Sequence, residues 1–306
     1  MKIAIFGVGA MGCLFGARLA PHADITLIGR WQEQIDHLNR QPLQIIFPGR
    51  LEADEVQLKA TAYPASIAPV DVALILTKSN RTQRVAAEAA TILTEDGIAI
   101  TLQNGLENYT LLRQYVGSRR ATLGVTAQGA SVEAVGVIRY GGVGDTYLAT
   151  HPHIHDRVQT LADIFDKADI RTQLTEDIES VLWGKLAVNA AINPLTALLR
   201  MSNGDLVISD WARDLLHEAA AEVERVAHAQ NIDLPYRDAA QQAEQVARLT
   251  GRNQSSMLQD VMRGAETEIE NINGAIVRRG EIVGVPTPIN AMLYRLVKAI
   301  DEMSGA

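Results

Sequence analysis

Two rhythms of apolar and polar positions divide this chain. Through the first half, short β-branched runs, KIAIFG, DITLIG, DVALILT and GIAITLQ, alternate with helix-like stretches over 11–20 and 81–93. That alternation is the pattern of a parallel sheet covered by helices on both faces. From about residue 121 the texture becomes ATLGVTAQGASVEAVGVIRYGGVGDTYLAT, a period of two broken by glycine, which predicts two or three added antiparallel strands. A helix over 154–168 and a short strand over 170–174 close this half. Beyond about 176 strand signals stop, and the helical period predicts helices over 178–192, 194–201, 206–230, 236–250, 256–279 and 287–303. The expected architecture is an α/β domain over 1–174 followed by an all-helical domain over 175–306. No low-complexity stretch or long linker intervenes, so the junction near 174–178 is expected to be packed.

The sharpest local motif is GVGAMG, with Gly7, Gly9 and Gly12 where the first strand turns into a helix. Gly7 permits the tight turn, Gly9 lets a pyrophosphate approach the backbone, and Gly12 lets helix and strand pack closely. The setting makes the first domain a Rossmann-type dinucleotide-binding domain, with the pyrophosphate expected at the helix N-terminus. An NAD site usually ends its second strand with an acidic residue for the ribose 2′-hydroxyl. Here that strand ends TLIGR, so Arg30 stands where the acid is missing and favours the 2′-phosphate of NADP. A solvated loop arginine is the alternative. Two further strand ends carry Lys78 in LILTKSN and Asn104 in ITLQNG, where an open α/β sheet binds its ligand. Asn104 is equally readable as an Asn-Gly turn residue.

The stretch WGKLAVNAAINPLTALL, residues 183–199, is apolar nearly all round yet carries Lys185, Asn189 and Asn193 at spacings of four. Residues four apart differ by about 40° around a helix, so Lys185 and Asn189 share a face. Asn193 precedes Pro194, which predicts that the helix ends there and that Asn193 caps the next one. In the expected late helix the apolar stripe is Leu258, Val261, Ala265, Ile272 and Ile276, and Glu268 falls within it. An ammonium and a carboxylate in core phase of one small domain point to a shared polar pocket, or to a structural buried pair. Ser256 and Gln259 make a capping-box pattern, while a hydroxyl at a helix N-terminus is also a seat for a substrate carboxylate.

Composition narrows the class. The 306 residues, 47% hydrophobic and 21% charged, are enough for one large or two ordinary globular domains. A net charge of −8 argues against a nucleic-acid partner. No apolar run is long enough for a membrane span, and the chain opens on a strand-like segment in place of a leader, so a cytoplasmic protein is expected. The single cysteine, Cys13, excludes an intramolecular disulfide and reads as a small core residue. His151, His153 and His155 lack carboxylate or cysteine companions and read as a solvated loop, so no metal is expected.

Taken together, GxGxxG, the LTK strand end, LQNG, WGKLAVNAAINPLTAL and SSMLQDVMRGAETEIENINGAIVRRG resemble the ketopantoate reductases over nearly the whole chain. The resemblance implies NADPH-dependent reduction of an α-keto acid, with Lys185, the lysine of the W-x-K-x-x-x-N block, as catalytic acid. It implies substrate contacts from Asn189, Asn193, Asn203 of SNGDL, Ser256 and Glu268. The cofactor would lie on Gly7, Gly9, Gly12, Arg30, Lys78 and Asn104. The expected partner is a small 2-oxo acid, on a monomer or homodimer. Two alternatives are a reductase of the same fold acting on another 2-oxo acid and a non-enzymatic NADP-binding sensor, which would have no reason to bury Lys185.

Overall fold

The computed structural model describes residues 1–67 and 69–304. The chain divides into two compact units, Met1–Gln103 with Asn108–Ile178, and Asn104–Glu107 with Glu179–Ala306. The expected division into two unbroken stretches at 174/175 differs in two respects. The first unit runs on to Ile178, and the four residues Asn104–Glu107 group with the helices.

The α/β unit begins β1 (Lys2–Phe6), α1 (Ala10–Leu19), β2 (Asp24–Ile28), α2 (Gln32–Arg40), β3 (Leu43–Ile46), β4 (Asp54–Val56) and β5 (Ala60–Thr61). It continues with β6 (Val70–Ile75), α3 (Thr82–Ile92), β7 (Leu93–Thr101), α4 (Asn108–Val116), β8 (Ala121–Thr126), β9 (Gly129–Ala134), β10 (Val137–Gly142), β11 (Thr146–Ala149), α5 (His155–Lys167) and β12 (Thr172–Thr175). Eight strands form one sheet in the order β12-β11-β8-β7-β6-β1-β2-β5. Ile3, Ala4, Ile5 and Phe6 are all buried, as a central parallel strand covered on both faces requires. Ile5 pairs with Leu27 of β2 on one side and Leu74 of β6 on the other, both in parallel. The strand order therefore reverses beside β1, and the crevice at the carboxyl ends of β1 and β6 is the topological switch point where such sheets bind ligands.

The region after 121 holds four strands, against the two or three expected. β8 is parallel to β7 and extends the main sheet; its six residues are all buried, so their period of two does not mark an antiparallel strand. β11 is the antiparallel addition, paired with β8. β9 and β10 leave for a second sheet of order β4-β3-β10-β9, built with strands that the periodicity did not reveal.

The helical unit contains α6 (Ile178–Leu199), α7 (Asp210–His228), α8 (Ala239–Leu249), α9 (Ser256–Met262), a π-helical turn (Glu270–Gly274), α10 (Ala275–Val283) and α11 (Pro288–Ser304). Its core gathers Trp183, Leu186, Ala190, Leu216, Val223, Ile272 and Val297. Here two expectations fail. The first is the helix end at Asn193: α6 runs unbroken for 22 residues with Pro194 inside it. Proline has no N–H to give the carbonyl four residues back, which is Ala190 O. That carbonyl instead accepts from the Asn273 carboxamide, at 2.9 Å, so the gap in the ladder is filled from another element. The second is the single helix over 256–279. Gly264, at φ +63°, takes the left-handed conformation after α9, and Ala265 N bonds back to Asp260 O. The supposed stripe from Leu258 to Ile276 thus belongs to three separate segments.

Candidate active site

In the α/β unit the glycines behave as close-packing residues. Gly7 has φ +139°, and a Cβ there would lie 2.9 Å from Leu76 O. A Cβ on Gly12 would lie 2.0 Å from Gly7 O, so strand end and helix meet at bare backbone. At Gly9 a Cβ would meet nothing within 4 Å. Gly9 also precedes α1 with no side-chain cap, so the first-turn N–H groups of that helix have no cap partner. Open space over uncapped amides fits a dinucleotide pyrophosphate. Arg30, just past β2, is 55% exposed in its side chain and donates to Glu88 Oε1 at 2.8 Å. Lys78, at the end of the β6 segment, is partly buried.

In the helical unit the polar anomalies come together. Lys185 Nζ donates to Asn104 Oδ1 at 2.9 Å, and Asn104 Nδ2 donates to Glu268 Oε2 at 3.1 Å. A carboxamide suits this place because it accepts at one end and donates at the other. Burial pulls the Lys185 ammonium down from its ordinary 10.5 to about 8, and the Glu268 charge opposes that fall. An acid of this strength keeps a proton at neutral pH and parts with it readily.

Because α6 does not break, Asn189 and Asn193 follow Lys185 one and two turns on. Asn189 is partly exposed and Asn193 is buried. Asn193 is not the helix cap expected; its carbonyl accepts from Thr196 Oγ1 inside the helix. Asn203 donates through Nδ2 to Thr250 Oγ1, at 2.9 Å, and its buried Oδ1 has no partner among the described residues. Ser256 is exposed and does not cap α9. The cap is Ser255, whose Oγ accepts from Leu258 N at 3.0 Å and shares a 2.7 Å hydrogen bond with Thr196. The capping box misplaced this residue by one because it required Gln259 at the third helical position, which Leu258 occupies. Asn104, a cofactor residue by the family resemblance, has its carboxamide engaged with Lys185 and Glu268. No local signal reveals a bond between residues 81 apart in sequence.

Outside this constellation, Cys13 is buried in the α/β core, and burial pushes its thiol up to about 11. His151 and His153 meet edge to face at 5.9 Å, and His155 opens α5. Among the described residues no group of three or more His, Cys, Asp or Glu is arranged to hold a metal ion. None of the described helices is long and apolar enough to cross a membrane.

Comparison with known proteins places this geometry in a lineage. The family described as Ketopantoate reductase PanE/ApbA matches residues 3–153, and its counterpart, Ketopantoate reductase PanE/ApbA C terminal, matches 177–301. The chain is 35% identical to a 2-dehydropantoate 2-reductase of Pyrococcus abyssi over 309 aligned residues, 100% of this chain and 99% of the relative. A crystal structure of a PanE/ApbA family ketopantoate reductase from Ralstonia eutropha JMP134 matches with a TM-score of 0.90 at 30% identity, covering 100% of both chains. A ternary structure of D-mandelate dehydrogenase with NADH and anilino(oxo)acetate matches with a TM-score of 0.91 at 25% identity, again over 100% of both. Matched in both of its halves by the family's two parts, and over its full length by a curated relative, the chain belongs to the ketopantoate reductase family.

Proposed function

We infer that the protein is an NADPH-dependent 2-dehydropantoate 2-reductase, reducing ketopantoate to pantoate for pantothenate synthesis in the cytoplasm, as a monomer or homodimer. The observation that carries this reading is the line from the Lys185 ammonium through the Asn104 carboxamide to the Glu268 carboxylate. A half-buried ammonium hydrogen-bonded through a carboxamide to a carboxylate keeps a charged proton donor away from bulk water, which is what reduction of a carbonyl needs.

Gly7, Gly9, Gly12, Arg30 and Lys78 would hold NADPH, which when bound supplies hydride to the C2 carbonyl carbon of the substrate. Lys185 stabilises the charge that gathers on the C2 oxygen and donates its Nζ proton there. Glu268 keeps that ammonium protonated against the cost of burial. Asn104 orients Lys185 and lies at hand for the same oxygen. Asn189 and Asn193, continuing along α6, offer carboxamides to the rest of the substrate. Asn203 offers its unpartnered Oδ1 to a hydroxyl, and exposed Ser256, relieved of the capping role by Ser255, is available to the carboxylate.

The test is a steady-state assay with ketopantoate and other branched 2-oxo acids against both nicotinamides. The highest kcat/KM is expected for ketopantoate with NADPH. A clear preference for an aryl or unbranched 2-oxo acid with NADH would move the assignment toward the D-mandelate dehydrogenase type.

A further inference from the structure

The four residues Asn104–Glu107, which group with the helical unit, are each fastened to it differently. Asn104 lies between Lys185 and Glu268. Gly105 has φ +94°, and a Cβ there would stand 2.5 Å from the Asn271 carbonyl oxygen, so the backbone of this strap lies directly on the π-helical turn. Leu106 packs against the helical core. Glu107 accepts from Arg278 Nη2 at 3.3 Å, while Nη1 of the same guanidinium donates to Glu270 Oε1 and Nη2 also reaches the Glu270 carbonyl. Glu270 is held in turn by the Tyr294 hydroxyl at 2.6 Å. Arg278, in α10, therefore grips the π-helical turn and the strap lying on it with one planar fork, a geometry that an ammonium cannot reproduce.

We propose that Arg278 is a positioning residue: by holding Glu107 it seats the strap on the π-helical turn, and so fixes Asn104 between Lys185 and Glu268. Arg278 holds Glu107 and Glu270, and so acts three residues along the strap from the carboxamide that meets Lys185 and Glu268. The π-helical turn explains why such a clamp is useful. It begins at Glu270, two residues after Glu268, and a widened turn beside a functional carboxylate needs a fixed partner if the carboxylate is to keep its place. The Arg278–Glu270 contact supplies one anchor and the Arg278–Glu107 contact ties the strap to the same point. The expectation about turnover rests on the ketoreductase reading above; the seating of the strap does not.

The experiment uses the full chain with Arg278→Ala, Arg278→Lys and Glu107→Gln. Glu107→Gln isolates the strap, since it leaves the Glu270 anchor untouched. A misplacement of the order of 1 Å near the reacting atoms costs up to about 100-fold in rate. Arg278→Ala is expected to lower kcat by about 10- to 100-fold with NADPH affinity held within about twofold. Arg278→Lys should recover part of that loss, and Glu107→Gln should fall between wild type and Arg278→Ala. Independently of turnover, amide hydrogen exchange in residues 104–107 should quicken in Arg278→Ala and Glu107→Gln, with α6 and α7 unchanged. Unchanged kcat and unchanged exchange of the strap would overturn the proposal. So would a loss of protection throughout the helical unit, which would make Arg278 a general stabilising residue. Failure of wild-type protein to reduce ketopantoate would overturn the reading of function instead, while the exchange measurement would still decide whether Arg278 and Glu107 seat the strap.

Discussion

At the scale of single residues, the proposed mechanism rests on the Lys185 ammonium, which donates to Asn104. Its removal in Lys185→Ala should lower kcat by roughly 10²- to 10⁴-fold, the range for a positioned proton donor, while NADPH still binds the α/β unit. A destabilised protein with near-normal turnover would contradict this. The pH dependence has a definite sign. In the proposed mechanism the ammonium is the working form, and burial pulls its pKa down to about 8, so kcat should fall as pH rises through that value. Glu268→Gln removes the charge that holds the ammonium up, so the same fall should move to lower pH; stopped-flow rates of hydride transfer across pH would show it. Arg30 makes a second prediction. It pairs with Glu88 while remaining more than half exposed, so it can turn to a 2′-phosphate. Arg30→Ala should weaken NADPH far more than NADH in fluorescence titration, and an equal loss for both would remove it from the 2′-phosphate site. Ser255 and Ser256, neighbours in sequence, should separate cleanly. Ser255→Ala removes a helix cap and should cost about 0.5–2 kcal/mol of stability. Ser256→Ala should leave the melting temperature alone and raise KM, as the loss of a contact made equally in ground and transition states does.

At the scale of elements, α6 and the π-helical turn depend on each other. Pro194 removes one rung of α6, and Asn273 repairs it through Ala190 O while also donating to Asn290 Oδ1. Asn290 Nδ2 bonds Glu222 Oε2 at 2.7 Å, and the same carboxylate accepts from Ile289 N and Asn290 N in the first turn of α11. Glu222 is thus a buried carboxylate satisfied by helix-start amides, a favourable site for negative charge. Replacing Asn273 with Leu should leave Ala190 O unpaired in the core and cost about 1–3 kcal/mol. Denaturant unfolding followed by circular dichroism measures that loss. The companion Pro194→Ala restores the N–H, so Asn273→Leu should cost less on that background. Equal costs on both backgrounds would show that Asn273 is not the repair.

At the scale of the whole molecule, each unit has its own buried core, with Ile5, Leu27 and Leu74 in one and Trp183, Leu216 and Val297 in the other. A ligand held by the glycine loop stabilises the unit that carries the loop. At about 100 times its dissociation constant NADPH should add about 2.7 kcal/mol to that unit's stability. Hydrogen exchange should therefore slow in β1, α1 and β6 on adding NADPH. Uniform slowing in the helical unit with none in β1 would place the cofactor elsewhere.

Much of this protein was legible in the sequence because the signals are local. Four β-branched runs between helices specify parallel strands; GVGAMG marks a strand-to-helix turn that only glycine can make; Lys185 and Asn189, four apart, must share a helix face wherever that helix goes. What local pattern could not decide are the features whose cause lies far along the chain. Pro194 ends a helix by every local rule, and α6 continues only because Asn273, 83 positions from Ala190, fills the missing bond. Glu268 sits beside Asn104 through a broken helix and a π-helical turn, not through the continuous apolar stripe that its spacing described. The partners of Lys185 likewise come from a four-residue strap and a late segment, because an ammonium out of water is stabilised by whatever polar groups the folded chain brings within hydrogen-bonding distance, irrespective of their order in the sequence.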